Sequence, residues 1–299
     1  MHRLRWRYDA MKNPFFTGAC TALVTPFHEG KINYAILEEL LHRQIEAGIE
    51  AVVMAGTTGE APTLSDTEKL ELFRFAKSVC RGQCKVIAGT GSNSTAHTIA
   101  LSRAAEDTGA DGLLIVTPYY NKATPDGLTA HYIAAASAVE IPVILYNVPG
   151  RTGLDIPLSV YERLTKVPNI VGVKEASTDV SKITKLRNLC PDFTIWTGCD
   201  ELTVPVMALG GAGVISVISN ILPEETQAMA RAALAGDFDT AADLQCKLQH
   251  LVDLLFCEVS PVPVKAALEL MGLDCGPCRM PLGRLSDANF LKLKAYFHR

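Results

Sequence analysis

The sequence predicts a (β/α)8 TIM barrel of the α/β class, followed by a small C-terminal α-helical appendage. Three observations carry that expectation. Short, near-continuously apolar, β-rich runs recur at fairly even intervals along the 299 residues, as parallel strands do when both faces are covered. Helical patterns fill the gaps, and strand–helix units repeated in series close most simply into a barrel. The first run ends in TPFHEG rather than in the Gly-rich dinucleotide fingerprint of a doubly wound sheet.

Residues 1–10 carry Arg3, Arg5 and Arg7 without a periodic pattern and read as a flexible, solvated extension; the folded chain begins near Met11. The barrel is expected over 11–235. Its first strand lies within ACTALVTPF (19–27). A helix over 33–47 starts at Asn33 and stripes Ile36, Leu37, Leu40, Leu41 and Ile45 along one face. AVVMAG (51–56) is the second strand. The helix over 66–80 is announced by the capping box Ser65-x-x-Glu68 and carries Leu70, Phe73, Ala76 and Val79 at helical spacing. KVIAGTG (85–91), GLLIVTP (112–118), PVILYNVP (142–149), IVGVKEAS (170–177), FTIWTG (193–198) and GVISV (213–217) supply the other strands. Beyond them 238–256, 261–271 and 286–298 have helical patterns, so 236–299 is expected to form the appendage, with no linker in front of it.

Composition narrows the function. With 28 Lys+Arg against 32 Asp+Glu the net charge is −4, and no basic stripe suits nucleic acid. No stretch reaches the roughly 20 apolar residues of a membrane span. The N-terminus lacks the apolar core of an export signal, and the nine cysteines are odd in number and irregularly spaced. They read as free thiols in a reducing cytosol. Cys275-x-x-Cys278 is half of a zinc site with no second half, so no metal is expected. The Asn93-Ser94-Thr95 sequon is idle without export.

In a barrel of this kind the chemistry sits at the C-terminal strand ends. Those ends carry Gly56-Thr57-Thr58-Gly59-Glu60, Thr117-Pro118-Tyr119-Tyr120-Asn121, Tyr146 to Gly153, and Lys174-Glu175. Lys174 is the most informative. It interrupts an apolar strand, where a lysine is almost never placed without a reason. On period 2 it shares a face with Ile170 and Gly172, and that glycine leaves room beside its stem. Burial disfavours the ammonium and frees the amine to attack a carbonyl, forming a Schiff base. The alternative is a structural ion pair, for which Glu175 is a poor partner because neighbouring strand residues point to opposite faces.

Tyr146 can shuttle protons beside such an amine, or fill the core with its hydroxyl on a carbonyl. Thr57-Thr58, between glycines, can present N–H groups and hydroxyls to a small carboxylate, or merely cap a tight turn. Arg151 can take a second carboxylate bidentately, or be a solvated loop arginine. The residues alone thus lead to a cofactor-free, lysine-dependent carbonyl enzyme acting on small acids.

GTTGE (56–60), TPYYN (117–121), YNVPGRTG (146–153) and VGVKEAS (171–177), in that order and spacing, resemble the dihydrodipicolinate synthase family, also called 4-hydroxy-tetrahydrodipicolinate synthase. The resemblance runs from about Phe16 to the C-terminus, and PVPVK (261–265) fits it as well. It implies condensation of pyruvate with L-aspartate 4-semialdehyde in the cytoplasm, towards diaminopimelate and lysine, without a cofactor. By the same resemblance Lys174 forms the imine, Tyr146 donates and accepts protons, and Thr57 and Tyr120 complete a proton relay. Thr58 holds the pyruvate carboxylate, with the backbone at Ile215 and Gly198 beside it, and Arg151 holds the semialdehyde carboxylate. The second tyrosine of the pair reaches across a subunit interface in this family, which implies a homo-oligomer, usually a homotetramer built as a dimer of dimers.

GTTGE alone indicates only the wider superfamily, so a 2-keto-3-deoxy-acid or N-acetylneuraminate-type pyruvate aldolase is the runner-up; Arg151 and the second threonine favour the synthase. A non-catalytic sensor has no need of the relay residues. The chain departs from the family at Gly150, where serine is frequent, at Ala61, and at Lys69 and His97, where lysine-inhibited members carry His and Glu. Lys69 adds like charge to a lysine ligand, so feedback inhibition by lysine is expected to be weak or absent.

Overall fold

The computed structural model describes residues 14–298, so the extension expected over 1–10 lies outside the described residues. Eight parallel strands close a barrel: β1 (Gly18–Ala22), β2 (Ala51–Met54), β3 (Lys85–Gly89), β4 (Gly112–Val116), β5 (Val143–Asn147), β6 (Ile170–Glu175), β7 (Thr194–Thr197) and β8 (Gly213–Ser216). Each strand neighbours the next in sequence, and β1 pairs with both β2 and β8 to shut the ring. All eight overlap the apolar runs of the sequence, whose Val, Ile, Leu and Ala suit a pleat covered on both faces.

Around the ring run α1 (Tyr34–Glu46), α2 (Asp66–Cys80), α3 (Thr95–Glu106), α4 (Pro125–Ala136), α5 (Leu158–Leu164), α6 (Val180–Leu189), α7 (Thr203–Ala208) and α8 (Pro223–Leu234). Side-chain caps start α1 at Asn33 and α2 at Ser65, where the expected capping box with Glu68 forms. α9 (Phe238–Leu255), α10 (Val262–Leu270) and α11 (Asp287–Phe297) follow, as the periodicity of the C-terminal segment indicates.

Strand alternation produces two cores. Outward side chains such as Val52, Leu113, Leu145 and Val173 pack with Leu41, Phe73 and Leu186 from the helices, and Leu251, Leu268 and Leu293 join the same cluster from α9 to α11. Inward side chains, among them Cys20, Val53, Ile87, Ile144, Tyr146, Trp196 and Ile215, fill the barrel. Phe16, just before β1, stacks on Trp196 with ring centroids 4.6 Å apart and accepts its indole N–H through the backbone carbonyl at 3.2 Å.

The C-terminal helices are also tied to the mouth of the barrel. Lys265 of α10 donates from Nζ to Glu60 Oε1 at 2.9 Å and to Thr25 O at 3.0 Å, and Glu60 Oε2 accepts the Arg279 amide at 2.8 Å. Both Lys265 and Glu60 are buried. Thus the final residues of GTTGE and PVPVK form one ion pair.

In β6 the simple period-2 reading needs correcting. Val143 stands opposite Ile170, but Ile144 stands opposite Gly172, so Val171 is an extra residue in the strand. Such a bulge reverses the alternation before it. Ile170 therefore packs in the outer core and Val171 against the inner one; Ile170 does not share the Lys174 face.

Candidate active site

β5 and β6 bring Tyr146 and Lys174 opposite one another in the ladder. Both are buried, at 6% and 5% exposure, and the Lys174 Nζ lies 4.5 Å from the centroid of the phenol ring. Among the described residues Lys174 makes no ion pair with a carboxylate. Glu175 is committed on the outer face, where Asn147 Nδ2 donates to its two oxygens at 2.8 and 3.0 Å and Tyr161 donates from its hydroxyl at 3.1 Å. The ion-pair alternative for Lys174 therefore fails on geometry.

Glycine does open space for the lysine stem, but it is not Gly172. A Cβ on Gly172 would meet Thr194 O at 2.4 Å and the Trp196 ring at 2.6 Å, so its role is to admit β7. A Cβ on Gly198 would stand 2.7 Å from Lys174 Cε and 3.1 Å from Cγ. Ile215, fully buried, packs in the same inner cluster as Tyr146 and Trp196 and is paired with Cys20 in the ladder. Burial pushes the Cys20 thiol well up, with nearby Lys174 pulling the other way, so that thiol stays protonated.

A cavity of about 750 Å³ opens over Tyr146 and is lined by Thr57, Tyr119, Val148 and Arg151. The GTTGE turn at its edge is held by strain and close approach. Ala55 and Glu60 have φ of +50° and +58°, a left-handed conformation that non-glycine residues adopt rarely. A Cβ on Gly59 would come within 3.1 Å of Leu23 O and of Ala55 N, so the backbones touch there. Thr57 faces the cavity, whereas Thr58 is buried in the turn. Arg151 sits in a single helical turn, Pro149–Thr152, exposed at the cavity edge, with Nη2 3.4 Å from Ser260 O.

Tyr120 is not brought in. It is 87% exposed with φ of +75°, and Tyr119 lines the cavity instead. At the far end of the cavity Asp66 lies 3.6 Å from Lys69 Nζ and 2.8 Å from His97 Nε2. Burial would raise the Asp66 carboxyl, but His97 and Lys69 outweigh it and hold it below the usual carboxylate range. Sequence reasoning singled out Lys69 and His97 but missed Asp66, whose place in the first turn of α2 could have suggested it.

The family model described as the dihydrodipicolinate synthetase family matches residues 15–299. The chain belongs to that family. Within the dihydrodipicolinate synthetase family it is 45% identical over 285 residues to the 4-hydroxy-tetrahydrodipicolinate synthase of Acetivibrio thermocellus, covering 95% of this chain and 97% of the relative. The dihydrodipicolinate synthase of Aquifex aeolicus superposes with a TM-score of 0.93 at 40% identity, covering 95% of this chain and 97% of that one. The chloride-inhibited enzyme of Acinetobacter baumannii, complexed with pyruvate, superposes at 0.92 with 42% identity over 95% and 98% of the two chains. Membership makes the protein a lyase that works by a Schiff-base, aldol-type condensation. It also favours the synthase over the sugar-acid aldolases.

Proposed function

We propose that the protein condenses pyruvate with L-aspartate 4-semialdehyde on Lys174, as the 4-hydroxy-tetrahydrodipicolinate synthase of diaminopimelate and lysine biosynthesis. The observation that carries this reading is the buried Lys174 amine, unpaired with any carboxylate among the described residues and 4.5 Å from the Tyr146 ring. Its Nζ attacks C2 of pyruvate to give a carbinolamine, and loss of water gives the imine. Removal of a C3 proton yields an enamine, whose C3 attacks the aldehyde carbon of the semialdehyde. The semialdehyde's own amine then displaces Nζ at C2, closing the ring and freeing the lysine. No external electron carrier enters this balance.

Tyr146 is the group that hands protons to and from these intermediates, with Thr57 and Tyr120 completing the relay. Thr58, Gly198 and the backbone at Ile215 hold the pyruvate end, and Arg151 takes the carboxylate of the semialdehyde. The exposed Tyr120, held at positive φ, cannot serve its own cavity from where it stands. That supports delivery to a partner subunit, and with it a homotetramer assembled as a dimer of dimers. Among the described residues no helix is long and apolar enough to cross a membrane; we place the enzyme in the cytoplasm.

Borohydride added with pyruvate tests the assignment. A mass gain matching a reduced pyruvyl group, present in the wild type and absent from Lys174→Ala, is expected. No adduct on the wild type refutes it.

A further inference from the structure

Behind the Tyr146–Lys174 pair, on the outer face of the same two strands, lies a polar cluster, buried except for Asp155 at its exposed rim, that the chemistry above does not use. Asn147 follows Tyr146 in β5 and Glu175 follows Lys174 in β6, and the two stand opposite each other in the ladder. Asn147 is fully buried. It donates from Nδ2 to both Glu175 oxygens at 2.8 and 3.0 Å and to Asp155 Oδ1 at 2.7 Å, while its Oδ1 accepts the Ile156 amide at 3.0 Å. Glu175 also accepts from the Tyr161 hydroxyl at 3.1 Å and the Ser177 amide at 2.9 Å. Lys182 of α6 lies 3.5 Å from Glu175 Oε2 and forms a second, shorter ion pair with Asp155.

Burying this many polar groups is costly unless every one is satisfied, and a satisfied network specifies one arrangement. What it can specify here is register. The ladder between β5 and β6 contains the Val171 bulge, and because Ile170, Val171 and Val173 are apolar residues packed in the outer and inner cores alike, burial by itself does not decide between the bulged register and its neighbour, whereas a directional cross-strand bond does. Without the bulge Tyr146 would face Val173. One residue of slip therefore separates a phenol over the amine from a phenol over a valine.

We propose that Asn147 and Glu175 are positioning residues: their cross-strand bond, braced by Tyr161 and Lys182, holds β5 and β6 in the bulged register that sets the Tyr146 ring over Lys174 Nζ. The proposal rests on the lysine-imine reading for its kinetic consequences only. Burial first, and then Glu175, push the Tyr161 phenol well above its ordinary value, so it remains a protonated donor to the cluster at all working pH.

The test is steady-state kinetics on N147A, E175A and E175Q with pyruvate and the semialdehyde. A displacement of about 1 Å at a reacting group costs roughly 100-fold, so N147A and E175A are expected to lose 10- to 100-fold in kcat, with KM for pyruvate within threefold of wild type. E175Q keeps an oxygen facing Asn147 and is expected to hold kcat within about threefold; a general loss of packing would not show that rescue. Wild-type kcat in N147A, or equal losses in E175Q and E175A, overturns the proposal. Should N147A fail to fold, Y161F removes one donor to Glu175 at constant shape. It is then expected to lower kcat about threefold at unchanged KM, and an unchanged kcat overturns the idea. A crystal structure of N147A separates this from the imine reading: the phenol ring shifted from Nζ supports the register role even if no borohydride adduct forms on the wild type, and an unmoved ring refutes it.

Discussion

Gly198→Ala should disable the protein while leaving it folded. The added methyl would stand 2.7 Å from Lys174 Cε, 3.1 Å from its Cγ and 2.8 Å from the Ala176 Cβ. Carbon atoms rest at about 3.5–4.0 Å, so the lysine stem must retreat by roughly 1 Å. Two of the three obstructing atoms belong to the flexible lysine stem, but the Ala176 Cβ can yield only with its backbone, so the loop beyond β6 must give slightly as well. The stability cost should fall within the ~1–3 kcal/mol usual for overpacking. The same retreat carries Nζ away from its place over Tyr146, and a misplacement of that size is worth about 100-fold in rate, or ~2.7 kcal/mol in the barrier. Initial rates of pyruvate consumption with the semialdehyde, beside a thermal melt, measure both. A folded variant with kcat within threefold of wild type would refute the placement of Gly198 against the lysine. Gly172→Ala is the contrast, since its methyl meets the Thr194 carbonyl at 2.4 Å and the Trp196 ring at 2.6 Å: that variant should lose stability first.

Other outcomes follow from single contacts. Lys265→Met leaves Glu60 buried without its cation, and breaking such a pair costs about 3–5 kcal/mol; the melting temperature should fall markedly, and an unchanged melt would contradict the clamp between α10 and the GTTGE turn. Arg151→Ala should weaken use of the semialdehyde at least tenfold yet leave borohydride trapping of pyruvate intact, because its guanidinium stands at the cavity edge and not at the amine; loss of trapping would count against its assigned role. Calorimetry should detect no micromolar binding of lysine, since Asp66, an acidic group at that end of the cavity, is already engaged by Lys69 and His97. Arg279 holds the Glu68 carboxyl down at about 2, from an ordinary 4.5. A depressed carboxyl contributes stability above its unfolded value that is lost as pH falls through its folded one. The difference in melting temperature between wild type and Glu68→Gln should accordingly be full at pH 7 and shrink from about pH 4.5 downward; a constant difference would remove Arg279 as the cause.

Strand positions were legible because each is apolar on both faces, a pattern that helices on this chain do not share. Lys174 was legible for the converse reason, as a charge breaking such a run. The bulge beside it was not: Ile170 and Val171 are both apolar, so neither the inner nor the outer core rejects either one, and only the ladder reveals which is extra. Gly198 touches Lys174 from the neighbouring strand's end, and Glu60 meets Lys265 across 205 positions of chain. Contacts of that range leave no local period to read. Tyr120 is different again, since its exposed side chain at positive φ leaves nothing within the single chain from which its role could be read.

The polar cluster behind the site follows from the same alternation that aims Lys174 inward. Alternation along a strand sends the residue after an inward one outward. That rule removes Glu175 as a partner for Lys174, and it applies equally to Asn147 after Tyr146. Where two neighbouring parallel strands each carry an inward reactive group at the same register, the next residue on each is outward at the same register too. Polar residues at both of those places must find partners, in each other or in the segments packed over the sheet. Asn147 and Glu175 do find each other, with both Nδ2–carboxylate distances at or below 3.0 Å. The physical need to satisfy the outward pair thus acts on the same two strands, one position along, as the chemical need to align the inward one.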